Sequence, residues 1–387
     1  MPDGAPSLTI ETVDSLAGVS AGEWDACAGA DNPFLSHAFL EAVERSGSVT
    51  PETGWGPRHL LARDAEGTLL GAVPMYLKGH SYGEYVFDHS WAEAYRRAGG
   101  RYYPKLQACV PFTPVPGARL LARPGPFADA VRAALADTLA SLPKRLGVSS
   151  LHVTFCREDE AELFEDAGMV PRQGHQFHWT NRGYRDFEAF LADLSHSRRK
   201  SIRKERREVE AQGISHVRLT GADITAEHWD AFFDFYISTS DRKWGSPYLT
   251  REFFDLLGAR MADRVLLVMA RREDRWIAGA LNLIGTDALY GRNWGCSEDH
   301  RFLHFETCYY QALDFAIERG LARVEAGAQG EHKLQRGYMP VPTWSAHAMR
   351  EEGFRTAVAE FCAREAEAVR AHIVELAAEG PFRSPPA

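Results

Sequence analysis

The segment Gly327-Ala328-Gln329-Gly330-Glu331-His332-Lys333 sets a carboxylate, an imidazole and an ammonium side by side after an expected short strand. Glycines allow close backbone approach and unusual dihedrals. Charged residues at a strand end either line a site or form a solvated turn. In the first role Glu331 or His332 takes a proton from an amine. Gln329, Lys333 and Arg336 then contact the substrate, the two cations meeting a phosphate or carboxylate. Upstream, Tyr290, Arg292 and Trp294 alternate, so on a regular strand they share one face. An Arg buried between two aromatics needs a partner, and both a ligand anion and an internal carboxylate meet that need. Glu306 and Tyr309 lie near the start of the following helix. Glu306 is a candidate base, or it only complements the helix dipole.

A second group lies earlier. Asp88-His89-Ser90-Trp91 closes an expected strand, and Tyr102-Tyr103-Pro104-Lys105 follows the Gly99-Gly100 break. Val110–Arg119 then brings Phe112 and Thr113 among Pro111, Pro114 and Pro116. With Pro104 these prolines exclude a regular central strand. A rigid, aromatic-rimmed loop is a common ligand wall; a long structural loop is the alternative. Asp88 is the candidate base here, with Trp91, Tyr103, Lys105, Phe112 and Thr113 as candidate substrate contacts. A third feature is the cationic run from Arg198 to Arg207, which includes Arg199, Lys200 and Arg203. Glu205, Glu208 and Glu210 allow helical pairing, so the run is either a solvated face or a contact for tRNA phosphates.

Other chemistries fit poorly. Gly79-His80-Ser81-Tyr82-Gly83 has the Gly-x-Ser-x-Gly pattern, but a nucleophile elbow needs a helix directly after it, and Glu84–Asp88 reads as a strand. His300 and His304 have the spacing of a helical metal pair, yet no Glu or clustered third ligand accompanies them. No metal, P-loop or dinucleotide fingerprint is expected.

These residues must be held by a large scaffold. The chain has 387 residues, 45% hydrophobic and 25% charged, which are globular values and suggest two domains. No run approaches 18 apolar residues, so no membrane span is expected, and Met1–Ala5 lacks the features of a secretory signal. The net charge of -9 argues against a DNA-coating surface. Six cysteines without a Cys-x-x-Cys pair read as buried free thiols, which places the chain in a reducing cytoplasm.

The organisation is a duplication. Trp24-Asp25-Ala26 matches Trp229-Asp230-Ala231, Leu35-Ser36-x-x-Phe39 matches Leu249-Thr250-x-x-Phe253, and Leu61-Ala62-Arg63 matches Met269-Ala270-Arg271. The copies are roughly 205 to 214 residues apart and in the same order. Each begins with a Trp-Asp-Ala helix and a second helix capped by Ser36 or Thr250. Two strands in a charged hairpin follow: His59–Arg63 with Leu69–Lys78, and Arg264–Arg271 with Trp276–Ile284. Third strands are expected over Tyr82–Asp88 and Ala288–Gly295. Helices are expected over Ala128–Leu146, Asp159–Ala167, His304–Arg319 and Phe354–Ala378. Strands are expected over Ser150–Phe155, Gln173–Thr180 and Arg323–Ala326. The fold class is α/β of the mixed α+β kind, a mixed central sheet flanked by helices in each copy, over residues 1–180 and 181–387.

This order resembles the GNAT N-acyltransferase fold, and the tandem pair resembles the FemAB-like aminoacyl and acyl transferases. Leu194-Ser195-x-Ser197-Arg198-Arg199-Lys200 through Gly213-Ile214 is similar to the helix that opens that family's second domain. Tyr290–Gly295, the helix to Gly320 and Val324-Glu325-Ala326-Gly327 are similar to its strand-helix-strand core. The chain also resembles a bacterial subgroup of predicted N-acyltransferases linked by name to peptidoglycan synthesis, through His37, Asp88–Trp91, Tyr103-Pro104-Lys105 and Pro111–Pro114. The resemblance implies two tandem GNAT-like domains and transfer of an acyl or aminoacyl group to an amine on a small molecule or peptide. The amine attacks directly, through a tetrahedral intermediate. It implies no tightly bound cofactor; the co-substrate is acyl-CoA, acyl carrier protein or aminoacyl-tRNA. The family's Gly-rich pyrophosphate turn has only a poor counterpart in Thr113–Ala118, where two prolines lack N–H donors. A non-catalytic recognition protein with a retained cleft is the reading from another class.

Overall fold

The computed structural model describes residues 7–243, 247–328 and 330–383. They divide into two compact units, one of residues up to 174 with 342–371, the other of 175–341 with the segment from 372 onward.

In the first unit, helices Ala21–Ala28 and His37–Arg45 precede the hairpin of His59–Arg63 and Leu69–Val73. Thr9–Val13 and Leu121–Ala122 extend this hairpin to a four-stranded antiparallel sheet. The expected strand Leu69–Lys78 is two strands. Pro74 has no N–H to donate to a ladder, and after it Met75–Lys78 joins a different sheet, pairing with Trp55–Pro57 and Lys105–Ala108. Lys105–Ala108 runs parallel to Ser150–Cys156, which pairs antiparallel with Trp344 to Met349. The strand expected over Tyr82–Asp88 does not form. Gly83 and Tyr85 take positive φ angles, and the segment turns Glu84 and Asp88 inward to Lys105 before helix His89–Arg97 begins. Helix Ala128–Leu146 has the expected bounds and stops at left-handed Gly147. It packs Val131 and Leu135 so closely on Gly71 that a Cβ there would meet Val131 Cγ1 at 2.4 Å.

In the second unit, strands Ile214–Leu219, Val265–Arg272, Arg275–Ile284 and Ala288–Cys296 form an antiparallel run. Arg323–Glu325 lies parallel to the start of Ala288–Cys296 and antiparallel to His178–Thr180. The helix expected over His304–Arg319 is present over Leu303–Glu318, with a π turn at Glu306–Tyr310. The basic segment is helix His196–Ala211, and the C-terminal helix is Glu352–Ala378.

Local details repeat where the sequence repeats. Ser36 caps its helix by accepting from the Phe39 N–H, and Thr250 does the same from Phe253, each at 3.3 Å. Both hairpins have a bulge at the matched Ala-Arg step, Ala62/Arg63 and Ala270/Arg271. A bulge there strengthens the twist that lets a short hairpin wrap a helix.

Gly295 is where strand and helix touch most closely: a Cβ on it would lie 2.0 Å from the Phe235 carbonyl oxygen. Backbone cannot yield as a flexible side chain does. Gly295→Ala is therefore expected to cost about 2 kcal/mol or more, read as a lower urea midpoint. Gly353→Ala, which meets nothing within 4 Å, is the control.

Candidate active site

The second unit contains a gap created by incomplete pairing. Arg323–Glu325 covers Ala288–Cys296 only as far as Tyr290. Beyond that point the strand keeps its partner Arg275–Ile284 on one side, while the chain leaves Glu325 toward Gly327, which has a φ of 78°. Beyond Tyr290 this side of the strand no longer pairs with Arg323–Glu325. A register shift lies opposite this stretch: Leu281 pairs with Asn293, and Asn282 with Gly291. Arg292 is the extra residue. The bulge inverts the alternation, so Tyr290 and Trp294 face opposite sides rather than sharing one face as the spacing suggests. Tyr290 turns to Arg323, and Trp294 packs edge-on to His304, 5.1 Å between ring centres.

Two cavities open at this gap and share Trp294 and His304. The smaller, of about 80 Å³, is bounded by Asn282, Gly291–Trp294, Cys308, Tyr309 and Ala326. The larger, of about 300 Å³, is bounded by Cys296 and the loop Glu298–Phe305. The π turn supplies Tyr309 to the smaller one; such turns concentrate at functional sites. Burial holds the Tyr309 phenol well above its usual range, so it stays protonated. Its oxygen lies 2.9 Å from His332 Nε2. Lys333 is buried and donates to the Gly327 carbonyl at 3.0 Å. Burial pushes its ammonium down to about 8.

Several sequence candidates serve the scaffold. Glu306 is held by Arg206 at 3.0 and 3.2 Å and by Gln311 at 2.8 Å. Arg336 is bidentate to Glu205 at 2.9 and 3.0 Å and stacks 3.4 Å from the Phe305 ring. Tyr310 also donates to Glu205. Glu331 is exposed, 3.9 Å from His372. Gln329 lies outside the described residues. On the basic helix, Arg203 pairs with Glu188, Arg199 donates to the Leu194 carbonyl, and Lys200 is exposed.

The first-unit candidates gather around Lys105, which is fully buried. Its ammonium donates to Asp88, to Glu84 at 2.7 Å and to Ser81 at 2.9 Å. Ser81 is joined to the Tyr103 hydroxyl at 2.8 Å. Burial alone raises the Asp88 carboxyl, but Lys105 outweighs it and holds the group well below the carboxylate range. Asp88 thus keeps a cation in place and binds protons weakly. Tyr102 donates to Asp88 at 2.6 Å and lies 3.2 Å from His152 Nε2. His152 Nδ1 meets His347 Nδ1 at 2.7 Å, and Trp91 packs edge-on to His347. His37 is tied to the Leu16 carbonyl at 3.1 Å. Thr113 donates to the Pro111 carbonyl, and Phe112 packs on Trp55. Glu84, His152, His347 and Cys308 join these groups without a motif to announce them, while Ser81, Tyr102, Glu205, Arg206 and His304 stood in segments whose pattern pointed to other roles.

A family model described as peptidoglycan biosynthesis/recognition, FemAB-like, matches residues 15–384. The chain belongs to the FemAB-like family. Its fold is similar to that of FemX, with a TM-score of 0.54 at 11% identity, covering 86% of this chain and 96% of that one. It is also similar to the C-terminal domain of a putative lysylphosphatidylglycerol synthetase from Agrobacterium fabrum, with a TM-score of 0.53 at 8% identity and coverage of 89% and 95%. L-PGS from Bacillus licheniformis gives 0.50 at 10% identity, with 87% and 98% covered. No curated protein matches the chain. The chain therefore shares the mixed α/β fold of FemX and of the synthetase domain. Among the described residues, no helix is long and apolar enough to cross a membrane.

Two measurements test this geometry. Arg336→Leu leaves the Glu205 carboxylate half-buried without its guanidinium, and the expected loss is about 3 kcal/mol, read from urea unfolding. Burial, with the charge of Lys105 adding to it, pushes His152 down to about 3, whereas an unfolded histidine titrates near 6.5. Between those values the unfolded chain binds the extra proton, so stability falls as pH drops through the window. His152→Gln should flatten that fall by up to about 1.4 kcal/mol per pH unit.

Proposed function

We propose that this FemAB-like protein transfers an acyl or aminoacyl group from an activated ester to an amine, with the reaction centre at the strand gap of the second unit. The observation that carries this reading is the stretch of residues 291–296, where the parallel pairing with Arg323–Glu325 has ended, beside a cavity that also holds Tyr309. Preorganised edge N–H groups suit the oxyanion of a tetrahedral intermediate. The amine lone pair forms a bond to the carbonyl carbon, the intermediate collapses, and the carbon–oxygen bond to the leaving alcohol breaks. One proton leaves the amine and one reaches the alkoxide. Tyr309, kept protonated by burial and bonded to His332, is placed to pass that proton. Holding both reactants in one cleft supplies much of the rate gain.

The donor is aminoacyl-tRNA in this reading rather than acyl-CoA. The loop between strand Ala288–Cys296 and the next helix contains Glu298 and Asp299 and no glycine. Without a glycine the loop lacks the close backbone approach that a cradle of N–H groups for a pyrophosphate needs. Lys200, Lys204 and Arg207 are exposed along helix His196–Ala211 and are cations suited to RNA phosphates. The acceptor is an amine on a small molecule or peptide. Kinship with a family described for peptidoglycan biosynthesis supports that class.

Incubation of the purified protein with amine panels and each of charged tRNA, acyl-CoA and acyl carrier protein, read by mass spectrometry, tests the proposal. Product with charged tRNA alone is expected. Product made equally well with acyl-CoA overturns the donor assignment, and ligand binding without transfer from any donor favours a recognition protein. Tyr309→Phe keeps the ring contacts and removes the proton carrier; kcat should fall about 100-fold with KM little changed.

A further inference from the structure

The first unit contains a cavity of about 470 Å³ that the strand gap does not use, bounded by Ala92, Glu93, Arg96, Gly100, Arg101 and the two tyrosines Tyr102 and Tyr103. Its walls are built. Ala92, Glu93 and Arg96 lie on one flank of helix His89–Arg97. The Gly100 backbone rests on Tyr95, since a Cβ there would meet Tyr95 Cε1 at 2.4 Å, and its N–H donates to the Tyr95 carbonyl at 2.9 Å. This fixes the start of the Arg101–Tyr103 wall. Arg101 donates from Nε to the Tyr103 carbonyl at 2.9 Å, which leaves its two terminal nitrogens to point elsewhere. Tyr103 is anchored through Ser81 to the buried ammonium of Lys105, and Tyr102 through Asp88.

The charge of these walls is unbalanced. Glu93 is engaged by Arg97 at 3.4 Å. The carboxylates beneath the tyrosines, Glu84 and Asp88, are occupied by Lys105. Arg96 has no partner among the described residues, and Arg101 spends only Nε. Two guanidinium groups on one cavity repel each other unless an anion lies between them. A guanidinium matches a carboxylate or phosphate with two parallel hydrogen bonds. The half-buried Tyr103 ring adds apolar surface beside the cations, and Tyr102 stands edge-on to it at an interplanar angle of 88° and holds it in place.

We propose that this cavity binds an organic anion, a carboxylate or phosphate monoester attached to a planar apolar body, with Arg96 and Arg101 on the anionic group and Tyr103 on the body. The site stands apart from the transfer reaction proposed for the second unit, so either can fail without the other. Isothermal titration of the full chain with benzoate, phenyl phosphate and inorganic phosphate, at constant ionic strength, separates the two ligand chemistries. Saturable binding of benzoate or phenyl phosphate, tighter than inorganic phosphate, is expected. The double variant Arg96→Gln/Arg101→Gln should weaken it at least tenfold, while Arg145→Gln, which removes an exposed guanidinium from helix Ala128–Leu146 that does not line the cavity, should leave it within twofold. Tyr103→Leu should weaken the aromatic probes and not inorganic phosphate. Absence of saturable binding by all three probes, or equal binding by the double variant, overturns the proposal.

Discussion

The second unit depends on a parallel pairing that stops early. Arg323–Glu325 matches only the first residues of strand Ala288–Cys296. Everything at the candidate site follows from what happens next. The bulge at Arg292 turns Trp294 toward His304, Gly327 lets the chain turn away, and the π turn brings Tyr309 to the opening. Where a strand loses its neighbour, its backbone N–H and C=O groups must find other partners, so the end of a pairing shapes what packs beside it.

Charge is used mainly for bracing. Arg206 joins Glu306 and Asp314, and Arg336 joins Glu205 while stacking on Phe305. These contacts hold the basic helix against the π-turn helix and fix the back of the site. Such pairs are expensive to break once desolvated, although they add little net stability over a well-packed apolar core. Their value lies in fixing position, which a transfer reaction needs more than it needs excess stability.

The first unit concentrates buried polar groups instead. Lys105 satisfies two carboxylates and a serine at once, and the chain continues through Tyr102 to His152 and His347. A buried network of this kind specifies one arrangement of its loops, because displacing Lys105, Glu84 or Asp88 would strand a charge in a low dielectric. It explains how a loop without a strand, from residue 79 to Asp88, remains well defined.

Local chemistry written in the sequence determined much of this protein. Helix caps, hairpins and the Ala128–Leu146 helix were legible, since each rests on residues close together in the chain. The expected strand at Tyr82–Asp88 failed because its apolar and aromatic residues suggested a ladder, while the decisive partner, Lys105, lay beyond a loop. Tertiary structure alone decided the roles of charged residues. Glu306 and Arg336 looked like catalytic and anion-binding groups, yet each found a half-buried counter-ion about 100 or more residues away. His152 and His347 meet only because their strands pair in one register. No spacing rule along the chain encodes such long-range pairing, since the energy of a charge or an imidazole is set by what surrounds it after folding.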